Sequence, residues 1–177
     1  STLIRTVIKD APLDSNIIIS ETWDGRDGTG ADKLTPGDYV PEGNYKIEID
    51  ARDFIGGQAE NNLMTLTVTV DKSFPRVVSN EPDLANTPWR NSSKTCDVDF
   101  FDDHNGYASK LKYAQYKITT AANQGGTVQK DWTDIFSDLD ATSYTTDWGS
   151  EIFSACGEGT YYVSVRVFDN AGTVSYT

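Results

Sequence analysis

Histidine occurs once in this chain of 177 residues, methionine once and cysteine twice. The single His104 stands in an acidic loop without a neighbouring Ser or Cys motif, so a histidine-based catalytic triad has no footing. Two cysteines are too few for a zinc ribbon or a clustered redox motif. Basic residues are also scarce, at 15 Lys and Arg against 27 Asp and Glu, for a net charge of −12. A surface for nucleic acid or anionic lipid needs a basic patch, and none is visible. No apolar run reaches the roughly eighteen residues of a membrane-spanning helix, so direct membrane insertion is not expected. Apolar residues at helical spacing are missing as well, which removes the helical classes.

What remains is β-forming. Apolar content is 37% and charged content 24%, enough apolar surface for a core and too much for a disordered chain. In Glu158-Gly-Thr-Tyr161 and the residues after it, Tyr161, Val163, Val165 and Val167 fall on one face at period two, with Tyr162, Ser164, Arg166 and Phe168 on the other. This alternation predicts a half-buried strand, and Asp169-Asn-Ala-Gly172 then turns the chain. The same order of residues stands earlier: Glu42-Gly-Asn-Tyr45, then Ile47, Ile49 and Ala51, then Asp53 and Gly56. Two copies predict two related β-domains in tandem, 1–72 and 73–177, with the boundary at Val70-Asp71-Lys-Ser-Phe-Pro75.

Strands are expected over residues 2–9, Ile17–Trp23, 44–52, Leu63–Val70, Arg76–Ser79, Lys94–Phe101, Leu111–Ile118, 161–168 and from Val174. In Lys94–Phe101 the inward set is Cys96, Val98 and Phe100; in Leu111–Ile118 it is Ala114, Tyr116 and Ile118. Trp23 to Asp32, rich in Gly and Asp, reads as a turn-dense loop, and 121–131 as a Gly-Gly-containing turn. One or two short strands are expected between Trp132 and Trp148.

Leu3-Ile-Arg-Thr-Val-Ile8, Trp23-Asp-Gly-Arg-Asp27 followed by Gly30, and Val40-Pro-Glu-Gly-Asn-Tyr45 together resemble the immunoglobulin-like module of flagellar hook-capping proteins, over residues 2–53. That module recurs in secreted and surface bacterial proteins, and the resemblance implies that Trp23 makes a structural corner. This copy departs from it by an insertion around Lys33–Tyr39 and by lacking the strands that precede residue 2. Tyr161 to Gly172 is similar to immunoglobulin-like repeats of large bacterial surface proteins, and Val70 to Pro75 to linkers of such arrays. The expected fold is therefore all-β: two tandem immunoglobulin-like antiparallel sandwiches, the first without its N-terminal strands and the second without most of its last. A self-contained sandwich uses about seven strands, so the first is expected either to be a piece of a longer polypeptide or to be completed by β-addition from another chain.

Within that layout Tyr45 and Tyr161 are tyrosine-corner residues. Cys96 and Cys156 fall at one end of the second sandwich, where a disulfide would close a loop of roughly sixty residues worth about 4 kcal/mol; two buried thiols are the other reading. Asp71, Asp102, Asp103, Asn105 and Asp169, approached by Glu42, would gather at the domain junction as hard oxygen ligands for calcium, with Asp24, Asp27 and Asp32 as a second candidate. The other reading is that these Asp residues cap turns. Trp132 and Trp148, with Trp89, would offer a platform for sugar rings or else pack inside. No catalytic motif stands out, and Asn91-Ser-Ser93 is an incidental glycosylation sequon. The function implied is a non-enzymatic structural or adhesive segment of a secreted or cell-surface bacterial protein, needing no cofactor except, conditionally, calcium. Its partners would be neighbouring domains of the same or an identical chain, or glycans. The alternative is an accessory carbohydrate-binding module of a polysaccharide-degrading enzyme.

Overall fold

A computed structural model describes residues 2–7, 20–52, 58–81, 91–104 and 106–177, with side chains outside 51–63. The fold is all-β, its strands paired antiparallel, with a single 3-10 turn among the described residues, at Phe153–Ala155. The chain divides into two compact units, Ser1–Val70 and Asp71–Thr177, so Asp71 and Lys72 group with the second.

The first unit holds two hairpins. Strand β1 (Arg26–Thr29) pairs with β2 (Thr35–Tyr39), and β3 (Gly43–Arg52) pairs with β4 (Gln58–Val70). The first hairpin corrects the expectation of a loop from Trp23 to Asp32, and its second strand occupies Thr35–Tyr39, within the segment read as an insertion. Glycine here serves close approach as much as turning. A methyl group on Gly28 would lie 2.1 Å from the Lys33 carbonyl oxygen, and one on Gly37 would lie 2.2 Å from Asp27 Oδ1. Residues 2–6 do not form a regular strand. They still lie beside this hairpin, with Gly28 N–H donating to the Ile4 carbonyl (2.7 Å) and Thr6 N–H to that of Lys33 (3.0 Å). Of the expected strand at Ile17–Trp23, the part before Ser20 lies outside the described residues, and Ser20–Trp23 is irregular. On β3 and β4 the apolar side chains Ile49, Met64 and Leu66 are exposed, and among the described residues Val40 is the buried hydrophobic residue of this unit.

The second unit is a two-sheet sandwich. Strands β5 (Arg76–Ser79), β6 (Val98–Phe101) and β9 (Ser143–Tyr144) make one sheet, in the order β5-β6-β9. Strands β7 (Leu111–Ala121), β8 (Gly125–Phe136), β10 (Tyr162–Asp169) and β11 (Val174–Tyr176) make the other, in the order β11-β10-β7-β8. Their inner faces share one core: Phe100 from the first sheet, Leu111, Ala114, Tyr116, Ile118, Val165 and Val167 from the second, and Trp148 between them. Register explains the selection. Val167 lies opposite Ala114, Val165 opposite Tyr116 and Val163 opposite Ile118, so two period-two rows point the same way. The end of that row nearest Tyr162 opens out, and Val163 is 40% exposed.

The turn expected over 121–131 is much shorter. Asn123 (φ 55°) and Gln124 (φ 61°) both occupy the left-handed region, and Gly125 N–H donates to the Ala122 carbonyl (3.1 Å). That is a two-residue hairpin turn of the primed type, whose twist suits the flanking strands. The chain is back in a strand at Gly125; β8 runs on through Trp132 to Phe136, and β9 is the short strand expected between Trp132 and Trp148.

Candidate metal centre

Two of the core rows end in a carboxylate. Along β6 and the residue after it, the inward positions are Val98, Phe100 and Asp102; along β10 they are Val165, Val167 and Asp169. Period two therefore carries both Asp side chains to the core side of the sandwich, where each is fully buried. Asp71, half-buried, meets them where the chain enters this unit. One ligand oxygen from each of the three lies within 4.8 Å of the other two.

The partners of these carboxylates are uneven. Asp71 accepts from the backbone N–H groups of Ser73 (3.0 Å) and Ser109 (2.7 Å). Asp169 accepts from Thr173 N–H (2.8 Å) and lies against the Thr173 hydroxyl, which is also 2.8 Å from the Ser73 carbonyl. Neither oxygen of Asp102 has a partner in good hydrogen-bond geometry, and both are buried; the Lys110 amide is close enough only for a weak, poorly aligned interaction. The Asp102 N–H is satisfied by the Thr142 carbonyl (2.8 Å). Burial pushes the Asp102 carboxyl above the usual carboxylate range, and the charges of Asp71 and Asp169 push it further. The nearby Lys110 amide and His104 pull the other way. A bare carboxylate in such surroundings costs several kcal/mol unless something neutralises it.

None of the three forms an ion pair with a described residue. The neighbouring cations are engaged elsewhere, Arg76 with Asp103 (3.2 Å) and Lys110 with Asp140 (3.1 Å). The structure thus narrows the expected calcium set. Asp71, Asp102 and Asp169 converge, whereas Asp103 is tied to Arg76. Asn105 lies outside the described residues, and Glu42 belongs to the first unit. Asp24, Asp27 and Asp32 form no such group among the described residues. Asp24 accepts from Arg26 N–H (3.1 Å) and Asp32 from Leu34 N–H (3.3 Å), both as turn caps. The Ser and Thr groups that orient Asp71 and Asp169 escaped the sequence reading. Their trace is short-range spacing: Asp71 to Ser73 is that of an Asx turn, and Asp169 to Thr173 spans the turn after β10.

The other expected sites resolve differently. Trp148 does not join a sugar platform: it is 6% exposed, its Nε1 donates to the Val98 carbonyl (3.1 Å) and its ring lies 5.4 Å from that of Tyr116. Trp132 stands apart from it with the Arg166 guanidinium 4.2 Å over its ring, and Trp89 lies outside the described residues. The expected disulfide is not formed. Cys96 and Cys156 are unbridged, half-buried thiols that both pack against the core. Burial raises the Cys156 thiol, which suppresses the thiolate that disulfide chemistry needs.

Tyr45 donates its hydroxyl to the Pro41 carbonyl (2.8 Å), and its ring lies 5.3 Å from that of Trp23, whose Nε1 donates to the Arg26 carbonyl (2.7 Å). A methyl group on Gly43 would stand 3.6 Å from the Tyr45 ring, and one on Gly159 would stand 3.3 Å from the Tyr161 ring. The repeated Glu-Gly-x-Tyr motif therefore builds the same local packing twice. The second unit also has an open cleft of about 1460 Å³, bordered by Cys96, Trp148, Cys156, Tyr161 and Val163. It is the splayed edge of the core more than a set of converging acids and bases.

No family model matches this chain, and no curated protein matches it either.

Proposed function

We propose that this chain is a non-enzymatic structural segment of a large secreted or cell-surface bacterial protein, built from tandem immunoglobulin-like β-domains that set reach and present a partner-binding end. The observation that carries the reading is the glycine-under-tyrosine corner, Gly43 with Tyr45 and Gly159 with Tyr161, which recurs once in each compact unit. Repeated local packing of this kind is the mark of arrays in which each module adds length. The sheet orders β5-β6-β9 and β11-β10-β7-β8 support the immunoglobulin-like assignment of the second unit. They place the first, second and fifth strands against the third, fourth, sixth and seventh, as in sandwiches of that class.

The position of the tryptophans favours this role over sugar binding, since stacking on a sugar ring needs an open aromatic face. Trp148 is inside the core and Trp132 is covered by Arg166. The test is surface labelling of intact source cells with an antibody raised against the chain, together with affinity electrophoresis in polysaccharide gels. Surface labelling without retardation is the expected result. Labelling only after permeabilisation, or retardation abolished by Trp132→Ala, would overturn the proposal.

A further inference from the structure

We propose that Asp71, Asp102 and Asp169 form a calcium site in the second unit. This goes beyond the architectural role and stands on geometry independent of it. Three carboxylates converge within 4.8 Å, two of them fully buried, without an ion pair to any described cation. The decisive group is Asp102, whose two oxygens are buried and accept no hydrogen bond. A carboxylate held in that way is ready to ligate, because no donor in good geometry takes up its acceptor capacity.

The arrangement favours calcium among divalent ions. Calcium takes six to eight oxygens in flexible geometry, whereas magnesium holds an octahedron and keeps several waters. Carboxylates with no exposure leave little room for a retained hydration shell. Together with half-buried Asp71 they supply up to six oxygens, and the Asp71 and Asp169 carboxylates are already steered by backbone N–H groups of Ser73, Ser109 and Thr173. Such donors orient carboxylates as outer-shell partners orient ligands in metal sites. The ion would tie the segment entering the unit to the ends of β6 and β10. A proton shared among the three carboxylates is the competing way of neutralising the site.

The experiment uses the full chain, freed of metal by chelator. Bound calcium is counted by equilibrium dialysis with radioactive calcium, and melting is followed by calorimetry. One calcium per chain is expected, with half-saturation on the order of 10⁻⁴–10⁻³ M as in extracellular modules. Magnesium should bind at least tenfold more weakly, and calcium should raise the melting temperature of the second unit. Asp102→Asn should abolish calcium binding while melting higher than the metal-free wild type, because it removes an uncompensated buried charge and so reports on folding and ligation separately. Asp24→Asn should bind as wild type does. Absence of bound calcium at 10⁻² M, undiminished binding by Asp102→Asn, or loss of binding in Asp24→Asn would each overturn the site. A wild-type melting temperature that responds to acidification and not to calcium would overturn it in favour of the shared proton.

Discussion

The hydroxyl of Tyr116, a residue 1% exposed at the centre of the second unit's core, donates a 2.6 Å hydrogen bond to Glu151 at the core's edge. The bond acts on both partners. Burial and the Glu151 bond push the Tyr116 phenol well above its ordinary value of 10.0, while the same bond and a backbone bond hold the Glu151 carboxyl below 4.5. Stability from Glu151 is present above pH 4.5 and fades as pH falls through its depressed value. Stability from Tyr116 is present below pH 10.0 and fades as pH rises beyond it. Tyr116→Phe should therefore cost about 1 kcal/mol near neutrality, with the difference from wild type shrinking at both extremes. Urea denaturation across pH measures it, and a pH-independent difference would refute the coupling. Glu151 is exposed, so solvent keeps the acid limb shallow.

Trp148 fastens the two sheets. Its ring packs between Phe100 and Tyr116, and its Nε1 bonds the Val98 carbonyl on β6. Trp148→Ala should destabilise the second unit by about 3–5 kcal/mol through cavity formation. Trp148→Phe should keep most of the packing and lose the bond, costing roughly 1–2 kcal/mol. Similar losses for the two variants in denaturant titrations would show that packing of the indole is not the main contribution.

Much of the second unit was legible in its residues because one face of each strand is buried there. The rows Ala114, Tyr116, Ile118 and Val165, Val167 follow period two, and tertiary structure obeys that period. The metal candidates were harder to narrow, since Asp serves equally as ligand and turn cap. Only the continuation of the rows Val98, Phe100 and Val165, Val167 onto Asp102 and Asp169 separates these two from Asp103, which the same alternation turns outward to Arg76. Glycine misled the reading twice. Gly28 reads as a loop residue although it permits a close contact in a hairpin, and Gly125-Gly126 as a turn although Asn123 and Gln124 make it. Trp148 had no local signal at all, because its burial is decided by residues far away in the chain.

Gly28 offers a sharp test of that hairpin. A Cβ there would meet the Lys33 carbonyl oxygen at 2.1 Å, and backbone cannot step aside as a flexible side chain can. Gly28→Ala should cost about 3 kcal/mol or separate β1 from β2, at the upper end of overpacking effects. Gly106→Ala is the control, with no heavy atom within 4 Å of the new methyl group and only its positive φ of 75° to strain; about 1 kcal/mol is expected there. Hydrogen exchange at the amides of β1 and β2 distinguishes the two. Unchanged protection in Gly28→Ala would show that the strands can spread to accept a side chain.

The unbridged state of Cys96 and Cys156 can be checked chemically, and the result bears on where the chain is proposed to reside. Both thiols border the core and are half-buried, and desolvation raises that of Cys156. Attack by or on a thiol proceeds through the thiolate, so native protein should react with an aromatic disulfide reagent at least tenfold more slowly than unfolded protein. Unfolding without reductant in the presence of iodoacetamide should then add two carbamidomethyl groups by intact mass. Such thiols can survive an oxidising compartment because the fold shields them, which reconciles them with the proposed surface location. If the mass instead stays unmodified until reductant is added, the two residues are bridged, and the end of the sandwich carrying Cys156 must close more tightly around Cys96 than the free-thiol arrangement shows.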